Sequence, residues 1–499
     1  MNFLTPLFFL FFIITLAAYR LIGQRYRYVV LFAASCFFYA WGQPKLLLLL
    51  LLVTSWTYAG GLLISLVGGN GKGDLRGSRR LYSIFFAGNI LLLAAFKFAN
   101  LRFNAIMPVG MSFYVFQSST YLTDVYRKGM APEKNFIRYG SFVTFFPTLL
   151  SGPIQKSREF LPMLQGEGDA AGGAGGMGES VSGGRAGDNL AVRGLALFLW
   201  GMFVKLFVAN RLSGAADYIF NYIPYYTGIY YLAASVCFAL QLYSDFAAYS
   251  DMAAGCAAML GFPLRRNFDN PFMSVTLAEL WNRWHVSLNE WLTENIYIPL
   301  GGSRKGKARK YLNEMIVFFC SGLWHGQGLH FALWGVYNGA LMILGQITAG
   351  LRERLWDFLH IRTDAAPIRW LRRLIVFLLF SMTFIFFRAD TVSGGIQMTK
   401  GILQIRPGDL IGFYPQQMFG KSNAQFIAAG LLTLLFLAVQ YLRSKEAAAA
   451  RPDLPQGGYF FALPEKVQRV LLAAVLAACI FALCKETAVL NTKFVYYNF

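Results

Sequence analysis

Charge is scarce in this chain: Asp, Glu, Lys and Arg together make up only 14% of it, where soluble domains carry about a quarter. A fold of this length solvated by water on all sides lacks the polar surface to cover itself, which excludes an ordinary soluble enzyme or binding module. Histidine is scarcer, at four residues. The six cysteines, Cys36, Cys237, Cys256, Cys320, Cys479 and Cys484, form no CxxC pair and have no histidine at ligand spacing. Zinc sites and a disulfide framework are thereby excluded, and the thiols read as small buried hydrophobes. There is no P-loop, no dinucleotide fingerprint and no GxSxG elbow. No metal and no bound cofactor are expected, and no nucleophile announces itself.

What fills the sequence is apolar. Hydrophobic residues reach 56% and aromatics 17%, gathered into runs able to cross a hydrocarbon core of about 30 Å in roughly 20 helical residues. Candidate spans fall near 3–19, 28–42, 45–68, 81–100, 106–123, 136–155, 190–210, 229–260 (one span or two), 311–324, 329–349, 370–388, 424–442 and 466–484. The fold class is therefore all-α, a polytopic membrane protein with roughly eleven to thirteen membrane helices, re-entrant segments included. The first run, Phe3 to Tyr19, has no basic residue before it and no small-residue cleavage site, and reads as an uncleaved first span.

The formal charge of +20 sits in short clusters between apolar runs rather than on one patch, so its partner is the lipid bilayer and not nucleic acid. Arg20, Arg25 and Arg27 follow the first span, Gly42 to Lys45 is nearly neutral, and Lys72, Arg76, Arg79 and Arg80 follow the third. The positive-inside rule puts the basic loops in the cytoplasm and the N-terminus outside. Residues 1–499 are expected to form one membrane-embedded domain, interrupted by a flexible glycine-rich loop over 165–188 and a polar loop over 444–458. Met107–Tyr126 and Pro271–Gly302 are too polar for lipid yet too aromatic for solvated loops, and such segments belong inside protein or beside a wet cavity.

His325 closes the run IVFFCSGLWHG, which places its imidazole at a membrane-depth helix end beside Gly326 and Gly328. Two readings stay open: a core histidine bonded to a neighbouring helix, or a functional group, the default for an ionisable side chain at that depth. On a helix, Trp281, Trp284, His285, Leu288 and Trp291 share one face, either as packing or as the wall of a site, with Arg283, Asn289, Glu290 and Glu294 needing partners or water. Asp245 and Asp251, in LQLYSDFAAYSDMAAG, must pair, protonate or line water. Bridges to Arg265 or Arg283 in a supporting role are expected. Arg304, Lys305 and Lys307, in the basic run after Pro299, Gly301 and Gly302, suit either anionic lipid or the phosphates of a cytosolic donor.

In order along the chain stand MPVGMSFYVFQSSTYLTDVYR, FFPTLLSGPIQK, YSDFAAYSDMAAG, NFDNPF, LWNRWHVSLNEWL, YIPLGGSRKGKARKYLN and GLWHG, then IFFRAD and a closing FVYYNF. This series closely resembles the membrane-bound O-acyltransferase family, in its bacterial alginate O-acetyltransferase-like branch. The resemblance covers most of the chain and is strongest from about residue 105 to 345. It implies that His325 is the catalytic histidine, His285 the second active-site histidine, and that a tunnel joins the two membrane faces. Trp324, Trp284, Arg283, Asn282, Asp245 and Asp251 then support the site or bind substrate. Asn282 departs from the Arg that many relatives carry.

The implied function is transfer of an acyl group, foremost acetyl, from a cytosolic thioester such as acetyl-CoA across the cell (plasma or inner) membrane. An exported acetyltransferase partner would receive it for O-acetylation of a cell-surface polysaccharide. His325 is then the base that takes the acceptor proton, and His285 orients the acceptor or the oxyanion, its tautomer fixed by a neighbour such as Asn282 or Glu290. D-alanyl transfer to teichoic acid, a transporter using Asp245, Asp251 and the histidines, and a non-catalytic assembly scaffold are the alternatives.

Overall fold

The computed structural model describes residues 1–69, 73–103, 106–165, 185–420, 422–449, 460 and 463–485. Among them the regular structure is helical throughout, in keeping with an all-α polytopic membrane protein. The glycine-rich stretch over 166–184, residues 450–458 of the polar loop and the closing FVYYNF lie outside the described residues.

α1 (Pro6–Leu21), α2 (Arg27–Gly42), α3 (Pro44–Gly68) and α4 (Leu75–Phe103) form the first layer. Each start has a physical cause: Thr5 accepts the Phe8 amide at α1, and Pro6 and Pro44 take first-turn positions where no amide hydrogen is needed. α4 buries only Ser78, Phe85, Asn89 and Leu93, a single stripe. Its other faces, with Ile84, Leu91 and Phe98 exposed, are what a lipid-facing helix presents.

That stripe lies against α5 (Met111–Tyr126), in which every residue from Phe113 to Val125 is buried. Asn89 Nδ2 donates to Ser118 Oγ and Ser119 Oγ, each at 3.1 Å. The segment too polar for lipid is thus enclosed by protein, as its composition requires. The run over 136–155 is not one span: α6 (Phe136–Val143) and α7 (Phe146–Leu149) break at Thr144 and Phe145, followed by irregular backbone and α8 (Ser157–Gln165).

α9 (Arg185–Phe203) and α10 (Asn210–Phe220) are joined by a π-helical turn, Val204–Ala209, and α11 (Gly228–Met259) is one unbroken helix of 32 residues rather than two. α9 and α11 cross at small residues. A Cβ on Gly194 would lie 2.6 Å from the Gly255 carbonyl oxygen, and one on Gly201 2.6 Å from that of Ala248. Where lipid tails are as apolar as side chains, such close backbone approach is the main packing device.

The segment after α11 holds two short helices, α12 (Leu277–Arg283) and α13 (Val286–Leu292). α14 (Lys307–His325) follows, then α15 (Leu329–Ile347) and α16 (Ala349–Phe358), bent by 48°. α17 (Ala366–Arg388), α18 (Val392–Leu403), α19 (Asn423–Ala449) and α20 (Glu465–Lys485) complete the described chain. The polar break expected from Ser444 therefore begins later, because α19 carries its helix through Ala449.

Among the described residues, six helices are long and apolar enough to cross a membrane, or seven if the bent pair is one span. The other candidate spans are shorter, broken, or studded with polar groups such as those of α11 and α14. α4, α14 and α17 all start among basic residues (Arg76 to Arg80, Lys307 to Lys310, Arg369 to Arg373) and end at one common cavity.

Candidate active site

The cavity encloses about 650 Å³, and its lining includes Asn100 from the end of α4, His325 from the end of α14 and Arg388 from the end of α17. Met107 to Phe113, just before and within α5, form one side, and Lys205, Phe238 and Gln241 another. Val109 N donates to Gln43 Oε1 at 3.0 Å, tying this side to the neutral α2–α3 turn. The cavity thus belongs to the face opposite the basic loops.

His325 sits at the C-terminal residue of α14, 5% exposed, with a ring of aromatics about it: Trp334 at 5.0 Å and Phe387 at 5.2 Å between ring centres. The helix is held at this level by Gly322 and Gly335, which let α14 and α15 meet backbone to backbone. Lys97 of α4 donates to the Trp324 carbonyl, the last turn's open acceptor. Gly326 is extended and leaves room for the Phe331 ring, and Gly328 for the His330 ring. The two glycines serve packing around His325, with Gly326 also lining the cavity.

His285 is 1% exposed and does not line the cavity. Its ring centre is 6.0 Å from that of Trp324 and 4.7 Å from Phe246. The two histidines therefore flank one tryptophan. The structure corrects the single helix expected across Trp281–Trp291: the chain breaks between Arg283 and Val286, with His285 in the left-handed region at φ 45°. The break is stabilised because Asn289 Nδ2 donates to the Trp281 and Trp284 carbonyls at 2.5 and 2.6 Å, and Val286 N donates to the Asn267 carbonyl at 2.9 Å.

Asn267, in the NFDNPF stretch, is the residue that orients His285. Its Oδ1 is 3.2 Å from His285 Nδ1 and also accepts from Ser287 Oγ at 2.9 Å. Neither Asn282, which is exposed, nor Glu290 takes that position. Glu290 instead meets Lys156 at 2.9 Å and Arg265 at 2.5 Å.

The aspartates are paired, but not with the expected arginines. Asp245 meets Lys205 at 2.6 Å and Asp251 meets Arg443 at 2.8 Å, while Arg265 bridges Glu159 and Glu290, and Arg283 bridges Glu279. Both aspartates sit on α11 at membrane depth, so the partner nearest in space comes from a packed helix, α9–α10 or α19, rather than from a loop. Trp284 is buried against Tyr243, Phe268 and Phe380, a packing position. Arg304, Lys305 and Lys307 are exposed at the far end of α14 from His325, about 27 Å along a helix of 19 residues.

Sequence reading missed Lys205, Gln241 and Asn267. A lone lysine inside the apolar run over 190–210 carries the signal that any ionisable group at that depth carries. Among the described residues no group of three His, Cys, Asp or Glu could hold a metal ion.

The sequence profile of the membrane-bound O-acyltransferase family matches residues 78–388, which contain both histidines and all but the last residues of the cavity. The chain belongs to the membrane-bound O-acyltransferase family. It is an acyltransferase of the bilayer, and its relatives show the branch. A probable alginate O-acetylase of Pseudomonas putida is 30% identical over 511 residues, covering 98% of each chain. A peptidoglycan O-acetyltransferase of Helicobacter pylori is 29% identical over 409 residues, 74% of this chain and 72% of its own. A teichoic acid D-alanyltransferase of Bacillus subtilis is more distant, 25% identical over 253 residues, 48% of this chain and 59% of its own.

Proposed function

We propose that this O-acyltransferase moves an acetyl group from acetyl-CoA, or a like acyl thioester, on the basic face to an alcohol in the cavity on the opposite face. His325 is the base. The observation that carries this reading is one imidazole, fixed at a helix end by Lys97 and a glycine pair, lining a cavity of about 650 Å³.

Acyl transfer needs a group that takes the alcohol proton as the oxygen attacks the thioester carbonyl, and an ordinary imidazole, with a pKa near 6.5, is available for that at neutral pH. The tetrahedral intermediate then expels the thiolate, which recovers the proton from the imidazolium, so protons balance over the cycle. His285, held by Asn267, stands one tryptophan away and acts through Trp324, fixing that ring beside His325 rather than touching the oxyanion. Asp245 and Asp251 act indirectly, by fixing α11 against α9–α10 and α19. Arg304, Lys305 and Lys307 grip a remote phosphate of the donor, and only an extended donor arm spans the length of α14. In the cell (plasma or inner) membrane, with the basic face cytoplasmic, the acetyl group leaves outward to an exported acetyltransferase that esterifies a surface polysaccharide.

D-alanyl transfer has the weaker support, since the teichoic-acid relative matches less than half of this chain. A transporter or a non-catalytic scaffold gains nothing from membership of an acyltransferase family. Cells carrying His325→Ala are expected to lose surface O-acetylation while keeping the protein in the membrane at its normal level. Acetylation retained by that variant would remove His325 from the chemistry.

A further inference from the structure

Gln241 lines the cavity that His325 lines, is 4% exposed, and its Oε1 meets no hydrogen-bond donor of the protein. We propose that Gln241 positions the acceptor by accepting a hydrogen bond from it, and that this acceptor is an uncharged alcohol. The inference rests on the acyl-transfer reading and goes further, naming the substrate class.

A buried amide oxygen without a donor is costly, and native proteins keep one only for a reason. A ligand hydroxyl supplies the missing donor. The surroundings are built: Phe238, Gln241 and Asp245 recur at three- and four-residue spacing, so α11 presents them on one face. Phe238 gives an apolar contact beside the amide, and Asp245 ties the wall to the π-helical turn through Lys205 at 2.6 Å.

Charge decides the class of acceptor. The cavity lining contains two cations, Lys205 and Arg388. Lys205 faces Asp245, and Arg388 faces Asp217 at 2.7 Å and Asp390 at 3.7 Å. A uronate carboxylate entering here would meet two cations already faced by three carboxylates, Asp245, Asp217 and Asp390, with burial adding to the cost. A neutral hydroxyl enters without that penalty. An anionic surface polymer would then receive its acetyl from a neutral carrier and not directly at His325.

The test uses the full chain in proteoliposomes with acetyl-CoA as donor and two probe acceptors, methyl β-D-glucopyranoside and its uronate. The expected result is a kcat/KM at least tenfold higher for the neutral glycoside. Gln241→Leu should raise the KM for that glycoside at least tenfold and abolish the rise in thermal midpoint that it gives the wild type. A glutamine needed only for folding would lower the midpoint when replaced; here Gln241→Leu is expected to keep it or raise it. Equal or better use of the uronate, no use of the neutral glycoside by the wild type, or an unchanged KM in Gln241→Leu overturns the proposal. CoA release by His325→Ala at the wild-type rate is a separate result that removes the acyl-transfer reading itself.

Discussion

At the residue scale the two histidines differ in how they are held, and that difference makes a prediction. His325 is placed by backbone: a helix end, a lysine on a carbonyl and two glycines. His285 is placed by one side chain, Asn267, 2% exposed, whose single oxygen serves His285, Ser287 Oγ and Ser287 N. Asn267→Leu leaves those groups without their acceptor at a cost of about 1–3 kcal/mol, and lets His285 swing. A displacement of that kind lowers turnover by up to ~10²-fold. Asn267→Asp keeps the acceptor oxygen and should retain more of the activity, as kcat measured beside the thermal midpoint of each variant will tell. The place of His325 at a helix end was legible in the sequence because a histidine closes an apolar run beside Gly326 and Gly328. Asn267 was not, because it lies 18 residues from His285 and only the folded backbone brings its amide to the ring.

Elements matter here through where they stop. α14 delivers His325 only if it packs tightly on α15, and a Cβ on Gly335 would press into the Phe318 backbone, which cannot step aside. Gly335→Val is therefore expected to destabilise by about 1–3 kcal/mol and to cut activity by shifting His325. Gly345→Val, one helix face away with nothing within 4 Å of its added Cβ, is the control and should change little; thermal midpoints and acetyl transfer measured on both decide it. Helix existence followed from apolar runs, but helix breaks did not. The three- and four-residue spacing of Trp281, Trp284, His285, Leu288 and Trp291 continues across a helix break, since the side chain of Asn289, not a proline or glycine, ends α12. In the same way the ion pairs of α11 were predictable as pairs and not as partners. Lys205 is 40 residues from Asp245 and Arg443 is 192 from Asp251.

For the whole molecule, acyl transfer across the bilayer requires that the basic loops and the cavity mouth lie on opposite sides of it. Gln327→Cys, at the cavity lining, should react with a membrane-impermeant thiol reagent added outside intact cells, whereas Ser303→Cys, beside the basic run, should react only after permeabilisation. The reverse pattern would invert the topology. Composition alone made the bilayer legible as the main solvent and Met107–Tyr126 legible as protein-enclosed, whereas Pro271–Gly302 keeps exposed residues such as Asn282 and Ile298. The cavity was not legible, because its lining is drawn from seven separate stretches of sequence between Asn100 and Asp390. The measurement that bears most directly on the account is acetyl transfer from labelled acetyl-CoA by the purified chain in lipid, wild type against His325→Ala. Loss of a base predicts a fall on the order of 10²- to 10⁴-fold with the thermal midpoint unchanged. An alanine variant that transfers at the wild-type rate contradicts it.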